Sequence, residues 1–377
     1  MRKTMLEHQN RFSALEEKIK KAGLDAFLIS TKDSIFYFTG FRYEPFERPF
    51  FIVVRPGNQP VFLTPRIEAE NMATIAVPHQ IVEYIDYPAP AGGSYIEALQ
   101  SVLPADANIG VEMSITGELL VALSSWSPQV LPYVEQLRMV KSPHEVAAIR
   151  KAAKYSDRGL KLAMDLARHG GRIADTDKAN SLLREEITQQ EGYLDPYISN
   201  IWQGIWSAPF SAQPHRFPEP SDTLIEGPNV GLSFLRVNGY SAETERTFFV
   251  TSPSKEDAEV FNTMVEAGKI GFAALRPGVS CHDVDHKVME FLRAEGFGNN
   301  LLHRTGHGIG MGGHEGPWVA EGSDDVLQEN MVISIEPGIY WRGQGGFRHS
   351  DTVLITNDGY EMLTDMPHDI ASMTLGS

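Results

Sequence analysis

The chain is short of several things that would send it to other functions. Its one cysteine, Cys281, excludes an internal disulfide, and its place just ahead of Asp283-Val284-Asp285 reads as a helix start, a packing position. No apolar stretch approaches the roughly 20 residues that span a bilayer. The opening residues, with Lys3, Glu7 and Gln9 among few apolar ones, form no signal-peptide core, so cytoplasmic residence is expected. Positive charge is scarce too: 33 Lys plus Arg face 49 Asp plus Glu, a formal net charge of -16. That balance, with no basic run, argues against nucleic acid and anionic membrane surfaces as partners. Low-complexity segments are absent as well.

What is present suits an enzyme of two domains. At 377 residues the chain exceeds the usual single-domain size, and 42% hydrophobic residues are enough for a core in each half. Residues 6–21 alternate apolar and charged at helical spacing and stop at Gly23. Buried strands are expected at 26–29, 50–54 and 61–63. Ser142-Pro143 is a favourable helix start, with proline in the first turn. Helices are then expected at 145–168, 175–190, 255–275 and 283–295, interleaved with antiparallel strand pairs.

Carboxylates and histidines gather in the second half. Residues 230–237 and 244–250 are rich in branched and aromatic side chains and flank Asn238-Gly239, a strong hairpin signal because both turn positions accept positive φ. Side chains two apart on a strand share a face, so Glu243 and Glu245 point the same way. Like charges that close repel unless a proton or a cation lies between them. His303, His307 and His314 follow in a glycine-rich stretch where backbone can approach a ligand closely. Glu336 sits at the end of an apolar run before Pro337-Gly338, and a buried carboxylate needs a partner, a proton or a metal. Gly345 to Thr352 adds Arg348 and His349, with Arg348 and Asp351 expected to pair.

In this order and at these spacings, the segments resemble the pita-bread family of creatinases, prolidases and aminopeptidases P. Arg138 to Glu145 is similar to that family's entry into its catalytic domain. The resemblance implies an α+β pita-bread catalytic domain at 141–377, preceded by a smaller α/β creatinase/prolidase-type domain at 1–140. Metallopeptidases of the family hold two metal ions with two aspartates, one histidine and two glutamates. The matching positions here are Leu232, Glu243, His307, Glu336 and Ser350, so two ligands are missing. On that ground the paired-metal site is not expected to assemble, and no cofactor is expected.

The metal-independent creatinase branch has lost the same ligands, and its pattern implies catalytic roles for His215, Glu245 and Glu336. His307 and His314 would bind substrate, with His349 next to the serine that stands in a histidine position. Phe46 and Arg48 match the segment that reaches a partner subunit's active site, which implies a homodimer. Creatinase's second carboxylate-binding arginine is replaced by Trp318, which argues against creatine itself. The reading is hydrolysis of an amide or amidine carbon-nitrogen bond in a small molecule, with His215 as the proton carrier. Two alternatives stand beside it. One is an Xaa-Pro dipeptidase or aminopeptidase P-like peptidase with a reduced site, where Glu243, His307 and Glu336 hold a single divalent ion such as Mn, Zn or Co and the substrate is dipeptide-sized. The other is an inactive pita-bread binding protein.

Overall fold

The computed structural model describes residues 2–44 and 46–375. The chain divides into two compact units, Met1–Arg138 and Met139–Ser377.

In the first unit the opening helix Arg2–Ala22 stops at Gly23, whose φ of +67° is the left-handed cap that glycine adopts without strain. The strand Ala26–Ile29 follows, inside a six-stranded sheet ordered Gln80–Tyr84, Val61–Pro65, Phe51–Val54, Ala26–Ile29, Ile109–Glu112, Gln129–Leu131. It runs antiparallel to Phe51–Val54 and parallel to Ile109–Glu112. These three strands lack polar alternation because every one of their residues is buried. Leu28, Phe51, Val53, Leu63, Leu99 and Val111 form part of that unit's core. Arg48, which the resemblance sends to a neighbouring subunit, pairs inside its own unit with Asp86 at 2.6 Å and with Glu47. Phe46 beside it is 81% exposed at a φ of 46°.

The second unit opens with the helix Pro143–Leu166, and its start is a full capping box. Ser142 Oγ accepts from Glu145 N at 3.2 Å, and Glu145 Oε2 accepts from Ser142 N at 2.9 Å. This helix lies on the central hairpin, where Ser156 Oγ donates to the Ser233 carbonyl at 2.8 Å. The next expected helix arrives in two pieces, Ile173–Thr176 and Lys178–Glu191. Lys255–Ala274 and Cys281–Ala294 match their expected positions within a residue or two, each capped by a serine, Ser254 and Ser280. Cys281 is fully buried and its thiol is pushed up to about 12 by that burial, as suits a packing residue.

The hairpin pairs Asn229–Val237 with Tyr240–Phe248 through the two-residue turn Asn238-Gly239, both at positive φ. The ladder closes at Val237 and Tyr240, so the second strand starts earlier than its branched residues alone suggested. Around it lies an antiparallel sheet ordered Glu315–Val319, Gly306–Gly308, Val332–Ile335, Ser350–Ile355, Tyr240–Phe248, Asn229–Val237, Asn200–Trp206, with Tyr360–Met362 pairing Ser350–Ile355. Helices segregated from an antiparallel sheet make this unit α+β.

Candidate metal centre and substrate cavity

The strand alternation decides which side chains meet. Glu243 and Glu245 share one face of Tyr240–Phe248; their cross-strand neighbours are Phe234 and Leu232 on one side, and Ser350 lies opposite Glu245 on the other. Thr244 points the opposite way and donates to Asp157 at 2.8 Å. His307 comes from the short strand Gly306–Gly308, and Glu336 stands one residue past Val332–Ile335 with its N–H bonded to the Thr305 carbonyl at 2.7 Å. The glycines between them are required by close approach. A Cβ on Gly308 would lie 2.0 Å from the Gly316 carbonyl oxygen, and one on Gly313 would lie 1.8 Å from the Phe234 ring.

These elements enclose a cavity of about 400 Å³ lined by Trp202, Trp206, His215, Phe217, Leu232 and Phe234, with Glu243, Glu245, His303, Arg304, His314, Glu336 and Arg348 supplying its polar groups. Ligating atoms of Glu243, His307 and His314 all lie within 4.8 Å of one another. The His307 and His314 rings stack with centroids 3.9 Å apart. His307 Nδ1 faces the Gly308 carbonyl at 3.1 Å, which assigns that nitrogen the proton and frees Nε2. Nε2 lies 3.2 Å from Glu336 Oε1 and 3.6 Å from Glu243 Oε1, aligned for a hydrogen bond with neither.

Burial pushes the Glu243 carboxyl upward, although His307 opposes it. Burial works against a charged His307, yet the carboxylates of Glu243 and Glu336 lift it to about 9. Glu336 goes the other way, because His307 outweighs its burial and holds it low. His314 is driven down to about 4 by burial and by the neighbouring His307. Two histidines and a carboxylate suit a divalent transition ion, and the buried His307 Nε2, which has no hydrogen-bond partner, is a ligand atom that such an ion would satisfy. The residues therefore fit a metal. Ligating atoms of Glu243, His307 and His314 form the compact group, and Glu336, the third member of the set read from the sequence, approaches His307 Nε2 at 3.2 Å.

Leu232 and Ser350 hold the two remaining positions that the resemblance gives to ligands. Leucine has no donor atom, and Ser350 Oγ instead donates to Glu243 Oε1 at 2.8 Å. Glu245, given a catalytic role by the resemblance, is held by an arginine. Arg348 grips it through Nε to Oε2 and through Nη2 to Oε1 at 2.5 Å. Tyr340 extends the network, accepting from Arg348 Nη1 at 2.8 Å and lying 2.7 Å from His303 Nε2. The expected Arg348–Asp351 pair does not form, since Asp351 pairs with the fully buried Arg246 at 2.7 Å. His349 is likewise not brought to the cavity. It falls between Arg348 and Ser350, and strand alternation turns it to the other face, against Phe261 and His368.

His215 lines the cavity from an exposed loop, next to Arg216, which is tied to Asp222 at 2.6 Å and lies over the Phe210 ring. Arg304 was missed by reading the sequence, and it stacks on Trp318 with its Cζ 4.6 Å from the ring centroid. Nothing local signals that contact, because Trp318 is brought in as the cross-strand neighbour of His307.

A six-stranded α/β unit followed by an α+β unit with a His/Glu centre at its central sheet defines the two-domain creatinase/prolidase-type architecture with a pita-bread catalytic domain. The sequence profile of metallopeptidase family M24 matches residues 147–357, and that of the creatinase/prolidase N-terminal domain matches 11–140. The chain belongs to metallopeptidase family M24. It is 30% identical over 359 residues to an uncharacterized peptidase of Staphylococcus aureus (strain USA300), covering 94% of this chain and 98% of that one. Among solved structures it is similar to dipeptidase PepE from Mycobacterium ulcerans, at 26% identity, TM-score 0.83 and 98% coverage of each chain. An Xaa-Pro dipeptidase from Bacillus anthracis, 23% identical with TM-score 0.81 over 98% of this chain and 100% of that one, shares the fold.

Two expectations are corrected by these findings. Membership in a metallopeptidase family, with a converging Glu243, His307 and His314, overturns the expectation of no cofactor. The metal-independent creatinase branch has no support among these relatives, which are peptidases.

Proposed function

We propose that the protein is a metal-assisted peptidase acting on short peptides of the Xaa-Pro type. The observation that carries this reading is the convergence of Glu243, His307 and His314 within 4.8 Å at a cavity that Trp202, Trp206, Phe217 and Phe234 also line. Its similarity to the dipeptidase from Mycobacterium ulcerans supports a peptide substrate, and the fold shared with the Xaa-Pro dipeptidase from Bacillus anthracis supports the proline preference. A cavity of about 400 Å³ suits a dipeptide-sized ligand.

Glu243, His307 and His314 would hold a divalent ion, which supplies a Lewis acid for the scissile carbonyl and eases deprotonation of water. The protein's own groups then divide the remaining work. Glu336, whose Oε1 lies 3.2 Å from His307 Nε2, is the carboxylate placed to take a proton from the attacking water. His215, at the solvent side of the cavity, delivers a proton to the leaving nitrogen. The Glu245–Arg348 pair fixes the charge of the wall next to Glu243, so the field is set before substrate arrives. Trp202, Trp206, Phe217, Leu232 and Phe234 exclude water and receive the flat, apolar prolyl ring.

The test is metal analysis of the purified protein coupled to hydrolysis of glycylproline with and without chelator. Loss of cleavage on chelation and its return with added manganese are the expected results. Chelator-resistant cleavage, or no cleavage in the metal-loaded protein, would sink this reading.

A further inference from the structure

The segment that carries His307 and His314 is gripped from outside the cavity by one side chain of the helix Cys281–Ala294. Asp285 lies on the buried face of that helix with Val284, Val288, Met289 and Leu292, and is 3% exposed. A carboxylate in such surroundings needs partners for both oxygens, and here the backbone supplies them. Oδ1 accepts from Thr305 N at 2.8 Å, and Oδ2 accepts from Glu321 N at 2.6 Å. One side chain thus closes both ends of the stretch 305–321, inside which the two histidines lie.

The Thr305 peptide is held on both sides. Its N–H is on Asp285, and its carbonyl accepts from Glu336 N at 2.7 Å. A continuous line of hydrogen bonds therefore runs from Asp285 to the backbone of Glu336. His307 stands two residues beyond Thr305, with its own N–H on Ser334 Oγ at 3.1 Å. There is little slack between these strands, since a Cβ on Gly306 would lie 2.1 Å from the Ser334 carbonyl oxygen.

We propose that Asp285 is a positioning residue for the metal centre: by anchoring Thr305 and Glu321 it sets His307 against Glu336 and holds the loop that presents His314. This rests on the metal-assisted peptidase reading given above. Other side chains of the same helix act on the 321–322 end. His286 Nδ1 lies 2.9 Å from Glu321 Oε1, Arg293 Nη2 donates to Glu321 Oε2 at 2.7 Å, and His282 Nδ1 accepts from Gly322 N at 2.8 Å. Asp285 acts on both ends at once. The middle of the loop is tied separately, by Lys141 Nζ at 3.1 Å from Glu315 Oε1 and by Gly312 N donating to Glu315 Oε2 at 3.1 Å. A carboxylate suits the double task because each of its oxygens accepts, whereas an amide has one accepting oxygen and turns an NH2 toward the other N–H. Bonds to a charged acceptor are also roughly twice as strong as neutral ones.

Manganese titration of the full chain against a chelating dye tests this, together with hydrogen exchange. Asp285→Asn fills the same space but releases one end of the loop. It should weaken manganese binding by about tenfold, the scale of an outer partner of a metal ligand, and lower kcat for glycylproline with KM nearly unchanged. Asp285→Glu keeps the charge and both acceptors but displaces them, and should weaken binding as well. Arg293→Gln loosens the Glu321 side chain from the same helix; it should lower the unfolding midpoint and leave manganese affinity at the wild-type value, which separates positioning from stability. In the wild type itself, the amides of Thr305 and Glu321 should exchange only through global unfolding. Unchanged manganese affinity in Asp285→Asn or Asp285→Glu overturns the assignment, as does an equal loss in Arg293→Gln or rapid exchange of either amide. Manganese affinity that depends on Asp285 without cleavage of glycylproline keeps this inference and removes the Xaa-Pro peptidase reading. Chelator-sensitive cleavage with an affinity indifferent to residue 285 does the reverse.

Discussion

Arg348 holds Glu245 through two parallel contacts in a buried part of the cavity wall, with side-chain exposures of 7% and 4%. Removing one partner of such a pair leaves an uncompensated buried charge, which costs about 3–5 kcal/mol. Arg348→Met should therefore lower the urea unfolding midpoint strongly, whereas the double variant Arg348→Met, Glu245→Leu should recover most of the loss. Equal destabilisation by single and double variants would show that the pair is not the source of the stability.

Ser350 positions Glu243, one of the three residues proposed above to hold the ion. Its hydroxyl donates to Glu243 Oε1 at 2.8 Å, and outer partners of this kind typically tune metal affinity by about ten- to hundredfold. Ser350→Ala should weaken manganese binding by about that factor while Glu243→Gln weakens it further, both measured by competition with a chelating dye. Unchanged affinity in Ser350→Ala would mean that Glu243 is held in place by the strand alone.

The fold was legible where local rules suffice. Ser142-Pro143 with Glu145 spells its own helix start, and Asn238-Gly239 spells its own turn, because each signal lies within four residues. Glu243 and Glu245 were placed on one face by alternation alone, and the same rule accounts for His349 turning away from the cavity. What could not be read were choices of partner. Both Arg246 and Arg348 stand close in sequence to acids, and whether each takes Glu245 or Asp351 depends on the register between Tyr240–Phe248 and Ser350–Ile355. His314 joined the ligand group through the register of Gly306–Gly308 with Glu315–Val319, and Arg304 found Trp318 through the same ladder. Leu232 and Ser350 point away from a metal because they lack carboxylates, whereas the placing of His314 beside Glu243 and His307 depends on the fold of a glycine loop that no local signal gives.

Gly313 shows how tightly that loop is fitted. A methyl group there would meet the Phe234 ring at 1.8 Å, and the loop cannot retreat freely because Gly310 O accepts from Ser241 N at 2.7 Å and Glu315 accepts from Gly312 N at 3.1 Å. Gly313→Ala should displace His314 next door, lowering metal affinity and kcat/KM together by about tenfold or more, as expected for a site moved by a fraction of an ångström to an ångström. Adding Phe234→Ala opens the space and should restore metal binding. A Gly313→Ala protein with full metal affinity would show that the loop absorbs the methyl group by another route.

Asp157 offers a pH dependence that lies apart from the metal ligands. It is half-buried on the helix Pro143–Leu166, accepting from Thr244 Oγ1 at 2.8 Å and from Asp365 N at 2.7 Å, and burial pushes its carboxyl up despite both bonds. The folded protein therefore holds a proton on Asp157 in a range where the unfolded chain has released it. Stability changes with pH in proportion to the protons bound by the unfolded state minus those bound by the folded one, and here that difference is negative. The contribution of this carboxyl is complete below the unfolded value of 3.8 and is lost as pH rises through about 6, a change of at most about 3 kcal/mol. Asp157→Asn removes the titration, so the wild type should lose stability relative to this variant between pH 4 and pH 6.5, about the interval set by those two values, and run parallel to it above. Chemical denaturation of both proteins across that interval measures the difference. A flat difference would mean that Thr244 and Asp365 hold Asp157 ionised, their two hydrogen bonds outweighing the cost of its burial.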